Sequence, residues 1–364
     1  MKKRIERAKG KLGILIAGLG TAATTFIAGV EAIKKGLAEP LGSLTQTGNI
    51  RLDRKTGSSY SKLKDYVSFA NVKDIVFGGW DIYNDSLLAA ITKAQTVQPA
   101  LALLQQLKPE LETIVPMKAV ADESAISDLD IAHIKRAENK FELAKQVIYD
   151  IENFSVANNC TRLLIICFLP TEGNIEVSEV HNSIEAFEEG LCDNHPAISP
   201  SMIYAYASLS LGVPFVNGSG NLTCDIPALT ELAKNTNTPV AGKEFKTLET
   251  YEKAVYSSNL SDKIRLRFGS VAGEFQKKVI SLLPGDFIST VSVVLDAALF
   301  IDLAKRAAMR GIQEWLSFYF TAPQAYPRLA AEFNVSKQLI NLQNALYYLK
   351  GRDLIAHLDL DYYE

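Results

Sequence analysis

Short apolar runs recur along the chain, each closed by glycine, proline or asparagine and followed by residues whose apolar positions repeat every three or four places. The runs at 12–17, 74–81, 162–168, 214–216 and 240–242 have the length and β-branched content of strands. Between them, the pattern predicts helices after Gly20 to about 35, and at 84–93, 131–151, 183–190, from Ser199 onward, and at 227–234. The run RLLIICF at 162–168 is apolar without alternation, as in strands buried on both faces of a parallel sheet. Strands alternating with helices in this way predict an α/β fold built on a doubly wound parallel, Rossmann-type sheet. Beyond 247 the pattern loosens. Residues 247–263 are polar and helical, 264–283 alternate like one or two strands, and 289–311 and 335–350 read as a long buried helix and a closing amphipathic one.

The stretch 212–246 concentrates the chemistry. An apolar strand end runs into Asn217-Gly218-Ser219-Gly220, residues that tolerate turn geometry. Asp225 stands before Ile226-Pro227 as a helix N-cap, and a short strand at 240–242 then delivers Lys243 and Lys246 together. Lysines leaving the carboxyl end of a strand in an open α/β sheet are placed to meet an anionic ligand. The same residues also make an ordinary strand–helix–strand connection with solvated lysines.

At 364 residues the chain is long enough for two domains or one large α/β domain with an insertion. A net charge of -3 supplies no basic field, so a nucleic-acid partner is not expected. The four cysteines lie apart with no C-x-x-C pair, and the four histidines form no H-E-x-x-H. No metal site or disulfide framework is expected, and a cytoplasmic location fits. The basic start followed by 12–17 imitates a signal peptide, but Gly18 and Gly20 interrupt it, and a buried first strand is the better reading. The apolar segment at 291–304 carries Asp296 and Asp302, which makes it a core helix and not a membrane span.

The first strand opens into Gly18-Leu19-Gly20-Thr21-Ala22-Ala23, the G-x-G-x-x-A form of the dinucleotide fingerprint. The first glycine permits the turn, the second lets backbone approach a pyrophosphate, and the small Ala23 lets helix and strand pack closely. Free helical N–H groups would face the phosphates. The acidic residue expected some twenty positions later is absent, its place taken by Gly42-Ser43-Leu44-Thr45. Asp81, ending the strand at 74–81 after a glycine pair, is a candidate for the ribose or adenine contact, or else a helix cap.

GLGTAATT, FGGWDI, SPSMIYAYA, PFVNGSGNLTCDIPAL, PVAGKEFK and EWLSFYFTAP occur in an order that resembles the inositol-3-phosphate synthase family. The resemblance spans about 10–250 and 275–350. It implies an NAD-dependent isomerase that converts glucose 6-phosphate to inositol 3-phosphate by oxidation at C5, enolisation, internal aldol closure and reduction. Carried over by position, Gly18, Gly20, Thr21, Ala22 and Ala23 would hold the pyrophosphate, and Asp81 would contact the nucleotide. Thr171, Asn217 and Gly218 would lie near the nicotinamide, with Ser199 and Ser201 along the cofactor groove. Lys246 and Asp286 would be catalytic. The implied divisions are an NAD-binding domain at 1–242, a reduced α+β catalytic and oligomerisation insertion at 243–283, and a helical return at 284–364. A homo-oligomer is possible.

The chain also departs from that family. The family's long segment with an N-x-L-G-N-x-D-G loop and an S-K-E-x-S-K run is replaced by a short stretch at 247–266, and a family lysine is Thr321 here. Losing such an ammonium could remove about 2–4 kcal/mol of transition-state stabilisation. Two other readings therefore stand beside the synthase: a non-catalytic NAD-binding homologue, and an NAD-dependent sugar-phosphate oxidoreductase that lacks the cyclisation step.

Overall fold

The computed structural model describes residues 4–40, 42–52, 60–94, 101–122, 126, 133–246, 285–326 and 329–355. In chain order it runs through β1 (Lys11–Ala17), α1 (Thr21–Lys34), α2 (Leu44–Thr47), β2 (Asn49–Arg51), β3 (Tyr60–Lys62), α3 (Leu63–Tyr66), β4 (Ile75–Asp81), α4 (Leu87–Ala94), α5 (Leu101–Thr113) and β5 (Met117–Lys118). There follow α6 (Lys140–Asn158), β6 (Cys160–Cys167), α7 (Ile184–Cys192), α8 (Pro200–Ser210), β7 (Phe215–Asn217), α9 (Pro227–Asn235) and β8 (Pro239–Gly242). After the segment 247–284 come α10 (Gly285–Arg306), β9 (Gly311–Ile312) and α11 (Val335–Lys350). The expected helix at 247–263 and strands at 264–283 lie outside the described residues.

Seven strands form one sheet in the order β5-β4-β1-β6-β7-β8-β9, and its strand pairs are all parallel. β1 sits centrally with β4 and β5 on one side and β6 to β9 on the other. The chain changes direction across the sheet between β5 and β6, so the crevice beyond the carboxyl ends of β1 and β6 is a topological switch point.

Alternation along β1 shows why helices cover both faces. Leu12, Ile14 and Ile16 enter a core under α1, α10 and α11, while Leu15 and Ala17 enter a second core under α6, α8 and α9. From Val291 to Ala304 nearly every residue of α10 is buried, the mark of a helix inside the core. The carboxylates of Asp296 and Asp302 within it have partners. Asp302 meets Arg162 at 2.6 Å and Arg306 at 2.8 Å. Asp296 accepts from the Ser43 hydroxyl (2.5 Å), Leu44 N–H (2.6 Å), Thr45 N–H (3.0 Å), Thr45 hydroxyl (2.6 Å) and Tyr319 hydroxyl (3.2 Å). Burial pushes its carboxyl up to about 6 against the pull of these donors. Among the described residues no helix is long and apolar enough to cross a membrane.

Two elements differ from the sequence pattern. The helix expected at 131–151 begins only at Lys140, because the Asn139 side chain accepts the Glu142 N–H and caps it there. Ile134 instead forms a parallel bridge with Ala119 at the sheet edge. Asp225 does not cap α9. Pro227 fills the first helical position with Ile226 as N-cap, and the Asp225 carboxylate turns back to the Thr223 N–H (2.8 Å) and Lys243 Nζ (2.8 Å).

The contact of α1 with α10 is tight at Gly29, where a Cβ would stand 2.2 Å from Val291 Cγ2. Gly29→Ala is expected to destabilise the fold by about 1–3 kcal/mol through overpacking, despite alanine's better helix propensity. Urea unfolding checks this, with the midpoint lowered and the slope unchanged.

Candidate functional site

The register of the sheet sets the carboxyl ends of its central strands level. Ala17 pairs with Trp80 and Cys167, Cys167 with Asn217, and Asn217 with Gly242. The residues that follow, Gly18, Asp81, Phe168, Gly218 and Lys243, therefore emerge along one edge.

Gly18 has φ +89°, and a Cβ there would meet the Phe168 carbonyl oxygen at 3.0 Å, so only glycine fits. Gly20 is the N-cap of α1 and has no heavy atom near the point where its Cβ would stand. Gly20, Thr21 and Ala22 are exposed, whereas Ala23 is buried against the core. The first helical N–H groups have no acceptor within a helix. Among the described residues no side chain caps them, and the first turn holds no acidic residue. Open backbone, unspent donors and the positive end of the α1 dipole fit a dinucleotide's pyrophosphate.

Asp81 organises this corner. One carboxylate oxygen accepts the Leu19 N–H at 2.8 Å and the other accepts the Tyr83 N–H at 3.0 Å. Burial raises its pKa, opposed by these backbone donors. It is no helix cap. The Ser86 hydroxyl takes that role for α4, accepting the Ala89 N–H at 3.4 Å.

Across the edge, Thr171 is exposed after β6. Ser199 and Ser201 are buried, and their hydroxyls serve Glu172, just beyond the end of β6. Glu172 accepts the Ser201 N–H (2.7 Å) and Ser201 hydroxyl (2.5 Å), and Ser201 Oγ lies 3.1 Å from Ser199 Oγ and from Thr223 Oγ1. Burial raises the Glu172 pKa, which the serine donors oppose. The only sequence hint was hydroxyl residues at the start of α8, twenty-nine positions away from Glu172. Asn217 is also buried. Its amide donates to the Asn221 carbonyl at 2.9 Å, and its oxygen accepts the Ser219 N–H (3.1 Å) and hydroxyl (2.9 Å). Gly218 lets the Phe245 ring close on it, since a Cβ would come within 2.5 Å of Phe245 Cε2. Phe245 in turn lies 5.5 Å from the Phe168 ring and stacks on Phe320 at 5.2 Å.

The two lysines after β8 behave differently. Lys243, partly exposed, pairs with Asp225 at 2.8 Å. Lys246 is buried, and its ammonium donates to the Phe318 carbonyl (2.7 Å) and Gln338 Oε1 (2.9 Å). Desolvation lowers its pKa to about 8. The backbone between them is pinned to the segment carrying Thr321: Lys243 and Ala322 exchange hydrogen bonds, and Thr321 N–H reaches the Glu244 carbonyl at 2.7 Å. Thr321 itself is exposed. Asp286 lies in the first turn of α10, and its side chain falls outside the described residues. Among those residues, no cluster of histidine, cysteine, aspartate or glutamate is arranged to hold a metal ion.

Residues 12–347 match the family model described as myo-inositol-1-phosphate synthase, an NAD-binding family. The chain is 33% identical to inositol-3-phosphate synthase 1 of Bacteroides thetaiotaomicron, over 89% of this chain and 92% of that protein. It is also 33% identical to inositol-3-phosphate synthase 1 of Oryza sativa, over 67% of this chain but only 50% of the plant protein. In three dimensions it resembles inositol-3-phosphate synthase of Caenorhabditis elegans, with a TM-score of 0.78 at 20% identity over 98% of this chain and 89% of that one. A myo-inositol-1-phosphate synthase-related protein of Thermotoga maritima shares the fold at a TM-score of 0.62 and 15% identity, over 95% of this chain and 100% of that one. The glycine corner, the level strand edge and these matches agree: the chain belongs to the myo-inositol-1-phosphate synthase family.

Proposed function

We propose that this chain converts glucose 6-phosphate to inositol 3-phosphate with bound NAD, the chemistry for which its relatives are named. The observation that carries the reading is the edge itself, where an uncapped, acid-free helix start and two lysines leave the same ends of one parallel sheet. NAD supplies a hydride acceptor that returns the hydride at the end, so the net reaction needs no external oxidant. The N–H groups of Thr21, Ala22 and Ala23 bind the pyrophosphate, and Asp81 keeps the Gly18–Gly20 backbone in the shape that admits it. Thr171, Asn217 and Gly218 bound the nicotinamide side. Ser199 and Ser201 act there through Glu172. The Phe168 and Phe245 rings exclude water.

Oxidation, enolisation and ring closure each build negative charge on oxygen, which an ammonium in a dry site stabilises strongly. Lys246 is suited to that work because two uncharged oxygens hold its amine, and a pKa near 8 lets it give up a proton at neutral pH. Asp286 is the second proposed catalytic group. Lys243, held by Asp225, provides a further cation for the substrate's phosphate.

Incubating the protein with glucose 6-phosphate tests the reading: inositol phosphate should form without added NADH. Net accumulation of NADH would instead indicate a simple oxidoreductase, and bound NAD with no turnover a binding protein. Lys246→Met should lower kcat by at least about a hundredfold while leaving NAD bound, and an unchanged rate would remove Lys246 from the mechanism. Gly20→Val should weaken NAD binding by filling the open approach, measured by calorimetry.

Lys246 also has a signature in stability. With its folded pKa near 8 and the ordinary lysine value of 10.5, the unfolded chain binds more protons between these two values. Its contribution to stability therefore rises with pH from about 8 to 10.5, by up to about 3 kcal/mol. Denaturant titrations across that range should show the rise in the wild type and lose it in Lys246→Met.

A further inference from the structure

Gln324 follows Pro323 just after the turn that carries Thr321. It is 6% exposed, yet among the described residues neither Oε1 nor Nε2 of its side chain has a hydrogen-bond partner. Native proteins rarely leave a buried carboxamide unsatisfied at both ends, because each group keeps its full desolvation penalty.

Its position is defined. The Gln324 N–H donates to the carbonyl of Gly242, the last residue of β8, at 2.7 Å. A Cβ on Gly242 would come within 3.2 Å of Gln324 Oε1 and 2.9 Å of Asn217 Cβ, so the carboxamide is packed against the ends of β7 and β8. The polar group beside it is already committed. Asn217 gives its oxygen to Ser219 and its amide to the Asn221 carbonyl. Packing does not call for polarity here, since leucine or methionine would fill similar space without the penalty. A polar group kept at a cost to stability beside a ligand edge is the pattern of a binding residue.

We propose that Gln324 is a ligand-reading residue of this edge. Its carboxamide would pair with a group that both donates and accepts a hydrogen bond, a hydroxyl of the sugar phosphate or the carboxamide of the nicotinamide ring. The inference rests on the synthase reading for the nature of those ligands.

Gln324→Leu and the more adaptable Gln324→Met test it. For each, the thermal midpoint of the ligand-free protein, the NAD dissociation constant, the stabilisation of the NAD-loaded protein by glucose 6-phosphate, and KM with kcat are compared with wild type. The expected result is a midpoint that holds or rises while one ligand constant weakens about three- to tenfold. A weaker glucose 6-phosphate constant with kcat little changed assigns the partner to the sugar, and a weaker NAD constant assigns it to the ring. Unchanged constants for both ligands, with or without a lower midpoint, would overturn the proposal and leave Gln324 a purely structural residue. NAD affinity and thermal stabilisation are read without turnover. Failure here is thus distinguishable from failure of the synthase reading, which the wild-type product assay decides.

Discussion

Parallel pairing with a level register is the constraint on which the site depends. Hydrogen bonding sets Ala17, Trp80, Cys167, Asn217 and Gly242 side by side, so the turns after them must share one edge. Once those turns are that close, backbone meets backbone. Gly18 is pressed against the Phe168 carbonyl, Gly218 lies under the Phe245 ring, and Gly242 touches Asn217. The glycines at these positions are the consequence of crowding at the strand ends, and the crowding is what gathers the functional groups.

Around that edge, carboxylates work mainly as organisers of backbone. Asp81 ties the glycine corner to the start of the next loop, and Glu172 anchors the beginning of α8. Asp225 holds both its own turn and Lys243. In each case a carboxylate accepts from N–H, hydroxyl or ammonium donors that would otherwise be left unpaired near a partly dry cleft. This leaves the helix start at Thr21 free of local anionic competition.

Much of the architecture was readable from periodicity, because period reports which face of an element meets a core. The strand at 12–17, the doubly buried run at 162–168 and the helix at 335–350 were evident in this way, and the glycine corner was evident from its G-x-G-x-x-A spacing. Pairings between distant side chains were not. Asp225 obeys the local rule for an N-cap in sequence, yet Lys243, eighteen positions on, and its own turn claim the carboxylate. Nothing near Glu172 in the sequence marks its role, because its serine partners lie on another element. The Ser43–Thr45 segment, which stands where an acidic residue was expected, is explained by Asp296, about 250 positions away.

That last pairing bears on how the chain is completed during synthesis. The turn between Ser43 and Thr45 borrows its acceptor from α10, so it cannot finish its hydrogen bonding until the chain has been made about 250 residues further, through Asp296. Closing so long a loop is slow. The helix that arrives late also covers the face on which α1 rests. A nascent chain interrupted before residue 296 would carry the glycine corner but not the clasp that finishes the turn at 43–45, so the segments around Ser43 and Asp296 complete each other.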